Sequence, residues 1–531
     1  MTRKRLNTQS ILCLLAIIIG EVIFFRNIIF TNSIIGDGTD GLLNILFSEH
    51  WYQVFLGKEK WSELPFFYPA DNVLSYSDMM LGMGIPYSLL RAFNLSMYNA
   101  SNIVYIGIHI FGSFTMYYFA RRCLRFKETV SLIVVWLFSF SNSYNVLTFN
   151  PQMFTVSILP FLFLLCFRFY EYLDNKKKYV YGIIAALVLS LIFYTAFYVG
   201  YLLILAVMLC VVTYLIIEGI YYLVYKKSFG THKIIKHIKD LIIVFACFLI
   251  FMTPFVWLYL PALREVGGRT WHEVQALIPT LGEILNLDDY IIIGLDANLY
   301  NKRLGINIIE LVILIPLFVY QLFFLKNNKK KKIQLVLFMC FLVCFAFSFQ
   351  FHGYSLWKII WIIVPGASAI RAQGRFFFMT FILYTLLMGY LLNEINNSKA
   401  LINNAVYLLV FVVVTVTNFS PIGTSTNWNK DEINNVMEYV AQPPKDCDVF
   451  FVTCDQNKLK IIEPRMEIYA CAIAEKYGIK TINGYTGKNP SGWKLNAIES
   501  DYYEKVDDWC NSKEIDHIYR YDYSDNSWTL Y

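Results

Sequence analysis

Charge is what this chain has least of. Only 16% of its 531 residues are Asp, Glu, Lys or Arg, and 57% are hydrophobic; soluble domains run near 25% charged. That balance excludes a soluble protein of this length. Other signatures are missing as well. There is no Gly-rich Walker pattern for a nucleotide, no Ser-His-Asp ordering for a hydrolase and no C-x-x-C or Cys/His spacing for zinc. No internal repeat marks an inverted-repeat transporter. The formal charge of +6 is no footprint of nucleic acid, because the basic residues sit in a pattern with another cause.

What the chain does have is apolar sequence in long runs, each able to cross a hydrocarbon core of about 30 Å. Lys and Arg collect in alternate connections, as in "RRCLRFK" (Arg121 to Lys127), "KKK" (Lys176 to Lys178), "KKSFGTHKIIKHIK" (Lys226 to Lys239) and "KNNKKKK" (Lys326 to Lys332). Connections such as "SFSNSYNVLTFN" and "YTAFYVGY" carry none. This is the positive-inside pattern, and it sets orientation. It predicts about eleven spans, near residues 10–30, 99–119, 128–145, 152–172, 179–196, 200–224, 239–261, 306–325, 333–350, 374–393 and 402–420. The first follows a basic start and has no A-x-A-like cleavage site, so it reads as a retained span with a cytoplasmic N-terminus. Within it Glu21 faces the bundle and Arg26 reaches the outer interface. "YSLWKIIWIIVPG" (Tyr354 to Gly366) is too short to span.

An odd number of spans puts the C-terminus outside. The expected organisation is a mostly α, polytopic membrane domain over 1–420 and a small extracytoplasmic α/β domain over 421–531. In the tail "DEINNVMEYVAQ" reads as a helix, "CDVFFVT" as a strand, "EPRMEIYACAIAEKYG" as a helix and "IKTINGYTG" as a strand running into a turn. Cys447, Cys454, Cys471 and Cys510 all fall in this exported domain, where two disulfides are an open expectation. The larger outer loops are 31–98, 261–305 and 350–374.

Those loops hold the candidate chemistry. "SIIGDGTDGLLNILF" places Asp37 and Asp40 just past the first span. Leu43, Phe47, Trp51 and Phe55 then recur every fourth residue, predicting a helix lying in the membrane surface. Asp40 stands where it can cap that helix. Asp37 is flanked by Gly36 and Gly38, which leave room for a ligand, although Asp is also common in turns. Asp78 in "SYSDMMLGMG" is a second acid, with a helix cap as its ordinary alternative. Arg371 and Arg375 stand four apart before a later span, and Arg269 lies in the second loop. Such arginines often only anchor a helix, but guanidinium forks also bind phosphate bidentately. A carboxylate to activate a hydroxyl, facing cations for a departing phosphate, is the equipment for moving a sugar from a polyprenyl-phosphate carrier.

At this point the chain resembles a family. An acid in the first outer loop of a many-span protein resembles the C-type (GT-C) glycosyltransferases. "FFYPADNVLSYSDMMLG", "VPGASAIRAQGRF" and "INGYTGKNPSGW" resemble motifs of a little-characterised bacterial group of GT-C-like proteins. The resemblance implies a GT-C-like fold, and a base or metal-facing role for Asp37, then Asp40, with Asp78 as second acid. It implies a lipid-linked sugar donor, membrane lipids and a cell-envelope acceptor as partners, no nucleic acid, and at most a divalent metal as cofactor. Members often pair adjacent acids; here Gly38 and Thr39 intervene, which leaves base and metal open. The competing classes are a transporter or lipid flippase, and a non-catalytic assembly protein using the tail as its binding face. Convergence of Asp37, Arg371 and Arg375 on one outer cavity separates catalysis from transport.

Overall fold

The structure is a computed structural model that describes residues 8–36, 39–225, 236–285, 305–395, 400–419, 428–458, 463–497 and 499–531. Helices occupy each of the eleven apolar segments. Among the described residues five are long and apolar enough to cross a membrane: Met97–Cys123, Pro151–Glu171, Lys177–Thr195, Phe197–Val224 and Gln373–Asn393. A sixth candidate is the pair Ile238–Phe251 and Thr253–Val266, bent by 59°. Pro254 stands in the first turn after the break, where it has no N–H to continue the preceding helix. The remaining helices are shorter or, in Asn328–Ala346, start in a run of lysines.

The outer faces of these helices are bare hydrocarbon. Val207, Val211, Leu215, Ile216 and Ile220 of the Phe197–Tyr225 helix are all exposed, a surface that belongs in lipid. This is a polytopic helical membrane protein. Glu21 is buried in the bundle and meets His109 Nδ1 at 2.6 Å, whereas Arg26 is exposed. Basic connections gather at one end. Lys127 donates to the Ile395 carbonyl at 2.8 Å and to the Tyr407 hydroxyl at 2.9 Å, and Lys330 pairs with Glu394 at 2.7 Å. Trp357–Ile363 forms a short helix within the apolar segment judged too short to span.

The tail is an α/β unit. Val449–Thr453 is the central strand, parallel to Lys480–Thr481 on one side and to Tyr519–Asp522 on the other, with Ser527–Leu530 antiparallel at the edge. All five central-strand residues are buried, as a strand covered on both faces requires. Glu463–Tyr477 and Tyr502–Ser512 are its longer helices. The boundary at 420/421 lies outside the described residues. All four tail cysteines are free thiols, as are the other seven, so no disulfide staples this domain.

The first loop is built into the tail. Phe67 and Tyr68 N–H donate to the Asn483 and Thr481 carbonyls, each at 2.9 Å, and Thr481 N–H donates to the Pro65 carbonyl at 2.8 Å. Thus residues 65–68 extend the edge of the tail sheet. Gly484 permits it: a Cβ there would sit 2.5 Å from the Phe67 ring. Ser33 and Ile34 pair with Asn429 and Trp428 in a second small sheet. This docking corrects the expected surface helix. Asp40–Phe55 is buried from Gly41 through Trp51 on every face, because the Leu81–Ala92 helix and the tail helix Glu463–Tyr477 cover it. Its apolar stripe marked one contact face, and sequence periodicity does not show what covers the others.

Candidate active site

A cavity of about 330 Å³ lies where the first loop, the membrane helices and the tail meet. Asp40, Asp78, Arg269, Arg371 and Arg375 all line it, and the tail adds Tyr485, Thr486, Gly487 and Lys488. Asp37 lies outside the described residues. Beside it, Gly36 turns with φ +97°, and a Cβ there would meet Pro151 at 2.7 Å, so this turn requires glycine.

Asp40 is the first residue of its helix, and Thr39 takes the cap position without a side-chain hydrogen bond. Capping therefore does not explain Asp40. Its carboxylate accepts from the Asn150 amide, whose own oxygen accepts from the Arg375 guanidinium at 2.7 Å. Asn150 so links acid to base and fixes its own amide orientation. Asn44, one turn along, holds Gln152 at 3.0 Å.

Asp78 also departs from its expected cap role. The helix that follows starts at Leu81, and Asp78 instead accepts the N–H of Phe197, first residue of Phe197–Tyr225, at 2.9 Å. Its segment is pinned by Met80 N–H to the Thr195 carbonyl at 3.1 Å, Gly82 N–H to Thr195 Oγ1 at 3.0 Å, and the Tyr259 hydroxyl on the Ser77 carbonyl. Asp78 is 5% exposed. Burial pushes its carboxyl up to about 6, against the downward pull of Arg375, the Phe197 N–H and Gln152.

The cations come from three directions. Arg375 lies over the Tyr198 ring at 4.9 Å, and the Tyr198 hydroxyl accepts the Arg371 N–H at 3.0 Å. One tyrosine thus steadies both arginines. Arg269 is set by its N–H on the Ser368 carbonyl at 2.7 Å, and its guanidinium donates to the Gly487 carbonyl of the tail. Lys488 donates to the Gly267 carbonyl at 3.1 Å. Burial and the adjacent Arg269 pull its ammonium below the usual range. Among the lining residues four cations therefore face two carboxylates; Arg269 is also paired with Glu273 at 3.4 Å, and the cationic excess that remains suits an anionic ligand. The two carboxylates belong to no group of three metal-ligating donors among the described residues.

Beside the polar cavity lies an apolar groove of about 280 Å³, lined by Phe193, Tyr201, Phe255, Tyr259, Leu263 and Ile370. Tyr76, Phe197, Ala369 and Lys488 border both. Sequence reasoning missed Asn150, Gln152, Tyr198, Tyr76 and Lys488. The available signal was weak: polar and aromatic residues in short connections that carry no Lys or Arg, and a lysine inside the Gly-rich tail segment.

No protein-family model matches the chain, and no curated protein matches it. Among solved structures it is similar to the oligosaccharyltransferase of Archaeoglobus fulgidus. A crystal structure of that enzyme with Zn and sulfate aligns at 12% identity and TM-score 0.49, over 97% of this chain and 68% of that one. The same organism's AglB, with an inhibitory peptide and a dolichol-phosphate, aligns at 11% identity and TM-score 0.48, over 97% and 69%. With TM-scores below 0.5, these likenesses establish nothing about the function of this chain.

Proposed function

We propose that this protein is a membrane glycosyltransferase that takes a sugar from a polyprenyl-phosphate carrier and delivers it to a cell-envelope acceptor on the extracytoplasmic face. The observation that carries this reading is the adjacency of the two spaces: a cation-rich polar cavity that shares wall residues with an aromatic and aliphatic groove. A lipid-linked phosphate has that division, and neither half alone would suit it. The orientation rests on the basic connections at the opposite end.

In the proposed reaction a carboxylate takes the proton of the acceptor hydroxyl. The acceptor oxygen bonds to the anomeric carbon as the bond from that carbon to the carrier phosphate breaks. The phosphate leaves with the electron pair, and Arg371, Arg375, Arg269 and Lys488 stabilise its charge. Asp78 has the carboxyl best poised to hold a proton near neutral pH, Asp40 is braced by Asn150, and Asp37 remains a candidate base on sequence grounds. The tail segment Tyr485 to Lys488 closes the cavity wall, which gives the tail a part in retaining donor or acceptor. No step is assigned to a metal.

The test is to incubate purified protein with a panel of polyprenyl-phosphate sugars and follow release of the lipid phosphate. Release that depends on the cavity arginines is the expected result. No release from any donor, with transbilayer movement of a labelled carrier in vesicles, would replace transferase by flippase.

A further inference from the structure

Ten residues beyond Asp40 on the same helix, about 15 Å along its axis, lies a group that plays no part in the proposed transfer. His50 is fully buried. Its Nε2 meets the Trp61 carbonyl at 3.2 Å and its Nδ1 meets Glu59 Oε2 at 2.5 Å. A carbonyl only accepts, so Nε2 is the donor there. In a neutral imidazole that leaves Nδ1 with a lone pair aimed at a carboxylate, two acceptors face to face. A positive charge, proton or cation, belongs between them.

The third member comes from the tail. Glu475 lies on the Glu463–Tyr477 helix, which packs against Asp40–Phe55. Both Glu475 carboxylate oxygens are buried, and neither has a hydrogen-bond partner. Its charged neighbours are Glu59 and Glu49. Glu49 is already occupied by Arg91 at 2.8 Å and by the Tyr87 hydroxyl at 2.6 Å, so it offers Glu475 no relief. A desolvated carboxylate without a partner, beside a second carboxylate, is costly. One ligand atom each from His50, Glu59 and Glu475 lies within 4.8 Å of the others. Tetrahedral bonds of about 2.1 Å place ligand atoms about 3.4 Å apart, which small side-chain rotations reach from here.

We propose that His50, Glu59 and Glu475 bind one divalent first-row metal ion that clamps the tail domain to the first loop. One imidazole and two carboxylates form a donor set suited to Zn²⁺ or Mn²⁺, with a water completing the coordination. The Trp61 carbonyl plays the supporting part usual for a metal-bound histidine: it holds Nε2–H and points Nδ1 inward. The site is spatially separate from the cavity, so it stands or falls independently of the transferase reading.

The test uses the full-length protein in detergent, stripped with chelator and then given Zn²⁺ or Mn²⁺. Bound metal is counted by mass spectrometry after desalting, and docking of the tail is read by limited proteolysis and by Tm. Wild type should retain about one equivalent more than Glu475→Gln or His50→Gln, gain a few degrees in Tm and become resistant to cleavage between the domains. Glu475→Gln keeps the side-chain volume. If that variant does not fold, the wild-type response to added metal decides alone. Equal metal retention in wild type and variants overturns the site. So does a wild type whose Tm and cleavage ignore both metals, in which case His50, Glu59 and Glu475 share protons instead.

Discussion

Asp78→Asn should make the protein more stable and less active, and the size of the first effect follows from burial. The Asp78 carboxyl, 5% exposed, is held at about 6 against an ordinary value of 3.8. Ionising it in the folded protein therefore costs about 3 kcal/mol relative to the unfolded chain. The sign is set by which state holds the proton more tightly. Here the folded state does, so the cost is absent below about pH 3.8, grows between there and about 6, and is complete above. Asparagine never ionises, and its amide oxygen still accepts the Phe197 N–H. Thermal unfolding followed by tryptophan fluorescence, from pH 4 to 8, should give nearly matching curves at the acid end and a variant that unfolds at clearly higher temperature at pH 8. Turnover with a lipid-linked donor should fall about 10²–10⁴-fold if Asp78 is the base, and the wild-type rate should rise through pH 6. A variant less stable than wild type at pH 8, or a stability gap that does not change with pH, would refute the account of a desolvated carboxylate.

Asp40→Asn should also lose activity, contrary to the expectation for a helix cap: the new amide oxygen can still accept the Asn150 N–H, but the negative charge that faces the cavity cations is gone; wild-type turnover would restore the capping reading. Arg371→Lys keeps the charge but loses the fork, so donor affinity should drop about 10-fold or more, read as a raised KM with the membrane level unchanged. Gly484→Ala should loosen the tail, since its Cβ would overlap the Phe67 ring; protease cleavage between the domains should increase, and unchanged resistance would show that residues 65–68 are not what docks it. A reporter fused after Tyr531 should be active only outside the membrane, and cytoplasmic activity would invert the orientation.

The positions of the apolar helices were legible in the sequence because lipid demands a long apolar run with its backbone bonded internally, although among the described residues only five, or six with the bent pair, are long and apolar enough to cross a membrane. Composition alone meets that demand, so each expected segment carries a helix. The tail strand Val449–Thr453 and the helix Glu463–Tyr477 were legible for a similar reason, since local pattern and turn residues agree there. Asp40, Asp78, Arg269, Arg371 and Arg375 could be named because an acid or arginine at the edge of an apolar run is conspicuous. Their shared cavity could not be named. It is made by contacts across long chain separations: Asn150 between Asp40 and Arg375, Tyr198 beneath Arg375 and bonded to the Arg371 backbone, Lys488 arriving from the tail. Only tertiary structure decided that the Asp40–Phe55 helix is covered on all sides from Gly41 to Trp51, that Asp78 bonds a helix start more than a hundred residues away, and that Glu475 is buried beside His50. A residue's own sequence neighbourhood sets its backbone preference, but burial and partnership depend on which distant segments come to rest against it.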